Sequence, residues 1–118
     1  MLVVDDEVMV RRLVSEMLRE LGYEVCEAAS ASAAMRLLKK GLPITTVITD
    51  IRMAETTGIA LAGEICRARP ETRVIYMTSY AKELAGSHSQ LLAHDVLVKL
   101  FTFEQLENVM IKRKRARH

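Results

Sequence analysis

The stretch VVDDE, residues 3–7, sets two adjacent carboxylates directly after an apolar run, and a helical pattern begins right behind them. Like charges held close repel each other, and partial burial makes each costlier. A chain that places them at the end of a buried strand needs something cationic between them. Working outward, LVV (2–4) is a short strand, and Val10, Leu13, Val14, Met17, Leu18 and Leu21 fall at helical spacing from Val8 until Gly22 stops the run. YEVCEA (23–28) alternates like a strand, and 31–40 is helical with Ala34, Leu37 and Leu38 on one face before Gly41 and Pro43. ITTVIT (44–49) is β-branched almost throughout, which marks a central strand covered on both faces.

The pattern then repeats. After a loop to Gly58, residues 59–68 are helical and Pro70 closes the segment; RVIYMT (73–78) is a strand. Leu84, Leu91 and Leu92 favour a helix over 81–93, interrupted by GSHS. VLV (96–98) is a short strand, and Thr102 with Gln105 forms a capping box before a last helix to about Lys114, its inward face carrying Leu106, Val109 and Met110. Five strands alternating with five helices predict a parallel sheet covered on both sides. With right-handed crossovers, the expected architecture is a flavodoxin-like (βα)5 three-layer α/β sandwich of strand order 2-1-3-4-5.

Bulk composition narrows the function classes. The chain of 118 residues, 50% hydrophobic and 27% charged, is the size of one globular domain, assigned here to residues 1–114, with a basic tail over 112–118. No apolar run approaches the roughly 20 residues of a membrane span, and Met1 leads straight into a strand rather than a leader, so a cytoplasmic protein with no membrane contact is expected. The net charge of +2 is misleading, because the last seven residues, KRKRARH, hold five of the 17 Lys and Arg. Without them 12 basic side chains face 15 acidic ones, a net of −3, which argues against nucleic-acid contact by the domain itself. Cys26 and Cys66 are too few for a disulfide framework and are expected as buried, inert thiols. His88, His94 and His118 show no ligand spacing, and the seven Met are expected as core filler.

In such sheets ligands bind at the carboxyl ends of the strands, where strand order reverses. Asp5 and Asp6 end the first strand, Asp50 the third, Thr78 the fourth and Lys99 the fifth. Each has a simpler reading: Asp6 as a helix N-cap, Asp50 as a turn cap, Thr78 as a strand end, Lys99 as a solvated charge. Their joint placement favours a single site. Three carboxylates with nearby carbonyls and water suit Mg²⁺, which takes few protein oxygens at about 2.0–2.1 Å. Beside such a cation a carboxylate can act as nucleophile on a phosphoryl group, and Asp50 is the candidate because it ends the central strand. Lys99 and the Thr78 hydroxyl would neutralise charge on the other side.

With these residues assembled, the chain resembles a two-component response-regulator receiver domain over its whole length, through VVDDE (3–7), TDIRMAETTG (49–58), YMTSY (76–80) and VKLF (98–101). The resemblance implies that Asp50 is the phosphoacceptor, that Asp5, Asp6, Asp50 and the Arg52 carbonyl hold Mg²⁺, that Thr78 bonds the phosphoryl group and that Lys99 pairs with it. It implies a signalling domain rather than an enzyme, limited to self-phosphotransfer and autodephosphorylation. Its donor would be a phosphohistidine on a sensor histidine kinase or phosphotransfer domain. An effector domain or a homodimer through the last-helix face would be further partners. The segments MVRRLVSEMLRELGYEV and YMTSYA are similar to receivers at the C-terminal end of hybrid sensor histidine kinases.

Several positions depart from the family pattern. Ala54 and Leu100 stand where prolines are usual, which should loosen the loop after Asp50 and leave the Lys99–Leu100 peptide either trans or strained, since a non-proline cis bond costs roughly 2.5–4 kcal/mol. Val96 replaces the usual switch aromatic, while Ser79 keeps the small residue that admits a phosphoryl group. These departures motivate an alternative, a pseudo-receiver that binds partners without phosphate. A third class, a phosphatase of the haloacid-dehalogenase type, needs D-x-D after the first strand, and the acids here are adjacent.

Overall fold

The computed structural model describes residues 1–53, 56–78, 95–99 and 101–116. The helix expected over 81–93, the three histidines and the positions of Ala54, Ser79 and Leu100 lie outside the described residues. Within them the elements are β1 (Leu2–Val4), α1 (Val8–Glu20), β2 (Cys26–Ala28), α2 (Ala31–Lys39), β3 (Thr46–Asp50), α3 (Gly58–Ala68), β4 (Arg73–Thr78), β5 (Asp95–Val98) and α4 (Phe103–Ala116). The strands form one sheet of order β2-β1-β3-β4-β5, and every pairing is parallel. The expected topology is the observed one.

Alternation along the strands sorts side chains between two cores. Leu2, Val4 and Val47 face one side and pack under α2 and α3 through Ala31, Ala34, Leu38, Leu61 and Ile65. Val3, Ile48, Ile75, Met77 and Leu97 face the other and pack under α1 and α4 through Val14, Leu18, Leu106 and Met110. All five residues of β3 are buried, as its β-branched composition requires of a doubly covered strand. Val96, the position expected to carry an aromatic, is partly buried against the cluster of Ile51, Val74 and Tyr76.

Two strands are shorter or shifted relative to expectation, for one reason. β2 begins at Cys26 rather than Tyr23; among the described residues it pairs with β1, Leu2 against Cys26. β3 runs from Thr46 to Asp50 rather than 44–49 because its neighbours start level with it, at Leu2 against Val47 and at Arg73 against Thr46. A strand lasts only as long as a partner ladder exists.

The helix termini follow local chemistry. The capping box is present: Thr102 N–H donates to Gln105 Oε1 at 2.8 Å and Gln105 N–H donates to Thr102 Oγ1 at 3.1 Å. Gly22 takes a positive φ of 97° immediately after α1, which a residue with a Cβ adopts only under strain. α4 continues to Ala116, past Lys114. Two expectations need correction. Leu13 is 52% exposed, since the sheet covers only the Val14–Leu18 side of α1. Cys26 and Cys66 are half-buried free thiols rather than fully buried ones; Cys26 opens an edge strand, which among the described residues has no neighbour on one side.

Candidate functional site

Strand ends bring the polar residues to one rim. Asp5 follows β1 and is fully buried, Asp50 ends β3 at 6% exposure, and Thr78 ends β4 at 1%. Lys99 follows β5, and its amide donates to the Thr78 carbonyl at 2.6 Å, which brings the lysine main chain against β4. From there the ammonium reaches across the rim. Lys99 Nζ lies 3.0 Å from Asp5 Oδ2, 3.1 Å from Asp50 Oδ2 and 3.6 Å from Glu7 Oε1. The cation demanded by the paired acids is thus, in part, a side chain from the far end of the sequence.

Asp6 is exposed beside them, and Asp5, Asp6 and Asp50 each offer one carboxylate oxygen, all within 4.8 Å of one another. The reading of Asp6 as a helix cap fails: the N-cap of α1 is Glu7, with no side-chain capping bond. Asp5 instead braces the turn, its Oδ1 accepting from the Glu7 amide at 2.9 Å. Its Oδ2 is buried and receives no well-directed hydrogen bond, although the Lys99 charge is beside it. That oxygen therefore keeps lone-pair capacity. An all-oxygen donor set of this charge and spacing fits a hard divalent cation, whose octahedral ligands at about 2.1 Å sit roughly 3–4 Å apart.

Opposing forces act on the two central groups. Burial pushes the Asp50 carboxyl above the usual carboxylate range; the Lys99 hydrogen bond and charge oppose this, the Asp5 charge reinforces it, and the Arg52 amide opposes it weakly. Burial works against the Lys99 ammonium, but the contacts and charges of Asp5 and Asp50 together outweigh it, so its pKa lies above the ordinary lysine value. Lys99 is therefore fully charged at neutral pH, and burial makes the Asp50 anion costly.

The loop after Asp50 is closed locally. Arg52 pairs with Thr57 in an isolated antiparallel bridge, and Thr57 caps α3 by accepting from the Ala60 amide at 3.1 Å. Gly58 donates its amide to the Ile51 carbonyl at 2.7 Å, and its α-carbon lies against the Asp50 main chain, where a Cβ would overlap the carbonyl oxygen. Arg52 itself is exposed, two residues past Asp50.

Three participants were not assigned from sequence. Glu7 faces Lys99, although it belongs to the opening quintet. Arg11 donates to the Asp5 carbonyl at 2.9 Å and to Glu27 Oε1 at 3.2 Å. Gly58 seats α3 on the Asp50 backbone. Glu7 carried a signal in its adjacency to the acid pair and Gly58 in its place at the end of TDIRMAETTG (49–58); Arg11 acts on a carbonyl whose proximity no spacing encodes.

Beside Lys99 a groove of about 190 Å³ opens between α1 and the residues before α4, lined by Val10, Leu13, Val14, Met17 and Phe101, with Glu7 and Lys99 at its edge. Met9, on the first turn of α1, is 78% exposed. Among the described residues no helix is long and apolar enough to cross a membrane.

Comparison with known proteins agrees with this geometry. Residues 1–111 match the family described as response regulator receiver domain. The chain is 34% identical over 112 residues to the transcriptional regulatory protein ZraR of Escherichia coli K12, covering 94% of this chain and 25% of that protein. It is 35% identical over 113 residues to the regulatory protein AtoC of the same organism, covering 95% and 24%. The chain thus spans about a quarter of the length of these curated relatives. Among solved structures, the response regulator protein TrrA of Thermotoga maritima, in complex with Mg²⁺-BeF, superposes with a TM-score of 0.83 at 34% identity, covering 94% of this chain and 95% of that one. A five-stranded parallel sheet of order 2-1-3-4-5, a rim of buried acids and these similarities lead to one conclusion: the chain belongs to the response regulator receiver domain family, the phosphoacceptor signalling domain of two-component systems.

Proposed function

We propose that Asp50 is the phosphoacceptor of this receiver, charged by a phosphohistidine of a sensor histidine kinase or phosphotransfer domain. The observation that carries the reading is the convergence on Asp50 of an ammonium 3.1 Å away and two further carboxylates within 4.8 Å. Asp5, Asp6 and Asp50, with the Arg52 carbonyl, would hold Mg²⁺, the ion present with beryllofluoride in the TrrA complex. When bound, that ion supplies charge neutralisation on the phosphoryl oxygens.

The chain's own residues do the rest. An Asp50 carboxylate oxygen attacks phosphorus, the phosphorus–nitrogen bond to the donor imidazole breaks, and the imidazole keeps the electron pair and takes up a proton. Lys99, already charged and already against Asp50, pairs with the incoming phosphoryl oxygens, and the Thr78 hydroxyl at the end of β4 donates to them. Phosphorylation would convert the Asp50 carboxylate, destabilised by burial, into an acyl phosphate whose negative charge lies on the phosphoryl oxygens, within reach of Lys99. A rearranged rim then biases a pre-existing equilibrium of the surface carried by β5 and α4, through which an effector domain or a second copy would be engaged. The apolar groove beside Lys99 and the exposed Met9 and Leu13 of α1 provide the surface on which a donor protein could rest while its imidazole reaches Asp50.

Acetyl phosphate or beryllofluoride added with Mg²⁺ tests this directly. A mass increase of one phosphoryl group, or a spectral change with beryllofluoride, is expected for the native chain and not for Asp50→Ala. An Asp50→Ala protein that responds equally well overturns the reading. Absence of Mg²⁺ binding at physiological concentration would instead favour the phosphate-independent interaction module to which Val96 and Leu100 point.

A further inference from the structure

We infer that Arg11 is a positioning residue for the cation site: its guanidinium fixes the peptide that joins Asp5 to Asp6 and thereby aims both carboxylates. The inference rests on the reading that these acids hold Mg²⁺. β1 ends at Val4, so Asp5 sits where the sheet can no longer satisfy its backbone on both sides. Its amide still closes a last rung, donating to the Ala28 carbonyl at 3.2 Å. Its carbonyl is buried with the rest of the residue, and an unpaired buried carbonyl is costly.

Arg11 supplies the partner. From α1 its Nη1 donates to the Asp5 carbonyl at 2.9 Å while its Nε donates to Glu27 Oε1 at 3.2 Å. Glu27, next to the end of β2, is held in turn by Arg19, whose Nη2 is 3.6 Å from its Oε2. A planar guanidinium gripped at two nitrogens has little rotational freedom, whereas a lysine would offer a single rotatable point donor in place of that two-point fork. The Asp5–Asp6 peptide is therefore held through its carbonyl by Arg11, directly after a Val4–Asp5 peptide whose amide is held by the Ala28 carbonyl. Rotation of that peptide would swing the exposed Asp6 carboxylate away from Asp5 and Asp50, and it would strain the bond from the Glu7 amide to Asp5 Oδ1. Arg11 touches neither the phosphoryl group nor the cation. It acts through the backbone.

A matched control exists at the opposite end of the strands. Arg69 clamps two carbonyls in the same manner, those of Leu38 and Leu42 at 2.7 and 2.8 Å, ahead of β3 and far from the rim. In the 118-residue chain, Mg²⁺ affinity is measured by calorimetric titration, and exchange of the Glu7 amide by NMR in metal-free buffer. Arg11→Ala is expected to weaken Mg²⁺ binding by about 10-fold or more, as loss of groups that orient metal ligands does elsewhere, and to speed Glu7 exchange. Arg11→Lys should recover part of the affinity. Arg69→Ala should lower thermal stability while leaving the Mg²⁺ affinity and Glu7 exchange unchanged. Native-like Mg²⁺ affinity and Glu7 protection in Arg11→Ala would overturn the inference, as would an equal loss of affinity in Arg69→Ala. A native chain that binds no Mg²⁺ would sink the metal reading; if Glu7 also exchanged equally fast with and without Arg11, the positioning role would fall independently.

Discussion

Gly58 rests its α-carbon on the main chain of Asp50, so closely that a Cβ at 58 would overlap the Asp50 carbonyl oxygen, while its amide bonds to Ile51 at 2.7 Å. The start of α3 is in this way docked onto the end of β3, and the position of Asp50 depends on a residue eight places later having no side chain. Backbone atoms cannot step aside as a flexible side chain can.

Gly58→Ala should therefore destabilise the fold by about 2–3 kcal/mol, the upper part of the overpacking range, despite the better helix propensity of alanine. Calorimetric unfolding measures the loss. Mg²⁺ titration of the same variant should show weakened binding, because the clash displaces Asp50 relative to Asp5 and Asp6.

Asp50→Asn should raise the stability of the Mg²⁺-free protein at pH 7 by on the order of 1 kcal/mol, or about 3–6 °C. The folded-state pKa of Asp50 is raised, chiefly by burial, so its stabilising contribution is fully present below the unfolded value of 3.8 and is lost as pH rises through the folded value. Ionised Asp50 is thus a cost at neutral pH. The advantage of the asparagine variant should shrink as pH falls through the raised folded value, be gone below 3.8, and reverse at pH 7 when saturating Mg²⁺ stabilises only the native site. Melting curves across pH, with and without Mg²⁺, check both signs.

Lys99→Ala should cost about 2–4 kcal/mol in metal-free stability, since Asp5 and Asp50 are left buried beside each other without their counter-ion. The same variant should bind Mg²⁺ several-fold more tightly, because a competing cation is gone, yet lose phosphorylation. Lys99 has a raised folded pKa, so its own contribution is complete below 10.5 and disappears only in strong alkali. Chemical denaturation, titration and phosphorylation assays separate these effects.

Met9→Lys and Leu13→Lys lie on the outer surface of α1 and should leave thermal stability within about 0.5 kcal/mol of native. Transfer from a histidine-phosphorylated donor protein should slow by roughly 10-fold, the effect of losing about 1.4 kcal/mol of docking energy. Phosphorylation by acetyl phosphate, which needs no docking surface, should be unchanged. Equal slowing of both reactions would place the defect in the site rather than in recognition.

The architecture was legible in the sequence because its signals are local and periodic. The β-branched run before Asp50, the helical spacing of Val14 and Leu18, the stop at Gly22 and the box of Thr102 and Gln105 each act over a few residues, and each is present in the fold. Strand ends were less legible: Tyr23–Val25 alternates as a strand should, but the ladder between β1 and β2 starts at Cys26.

The rim divides in the same way. That Asp5, Asp6, Asp50, Thr78 and Lys99 share an edge follows from strand order and from the rule that strands point their carboxyl ends together, so the one-dimensional pattern determined it. Which of them touch was decided only in three dimensions. Lys99 shared between Asp5 and Asp50, Arg11 gripping the Asp5 carbonyl and Gly58 pressed on the Asp50 backbone join residues 6 to 94 positions apart. Such contacts depend on the register of packed helices against the sheet. Residue type and spacing specify what an element will be, whereas close packing of many elements at once specifies which atoms meet.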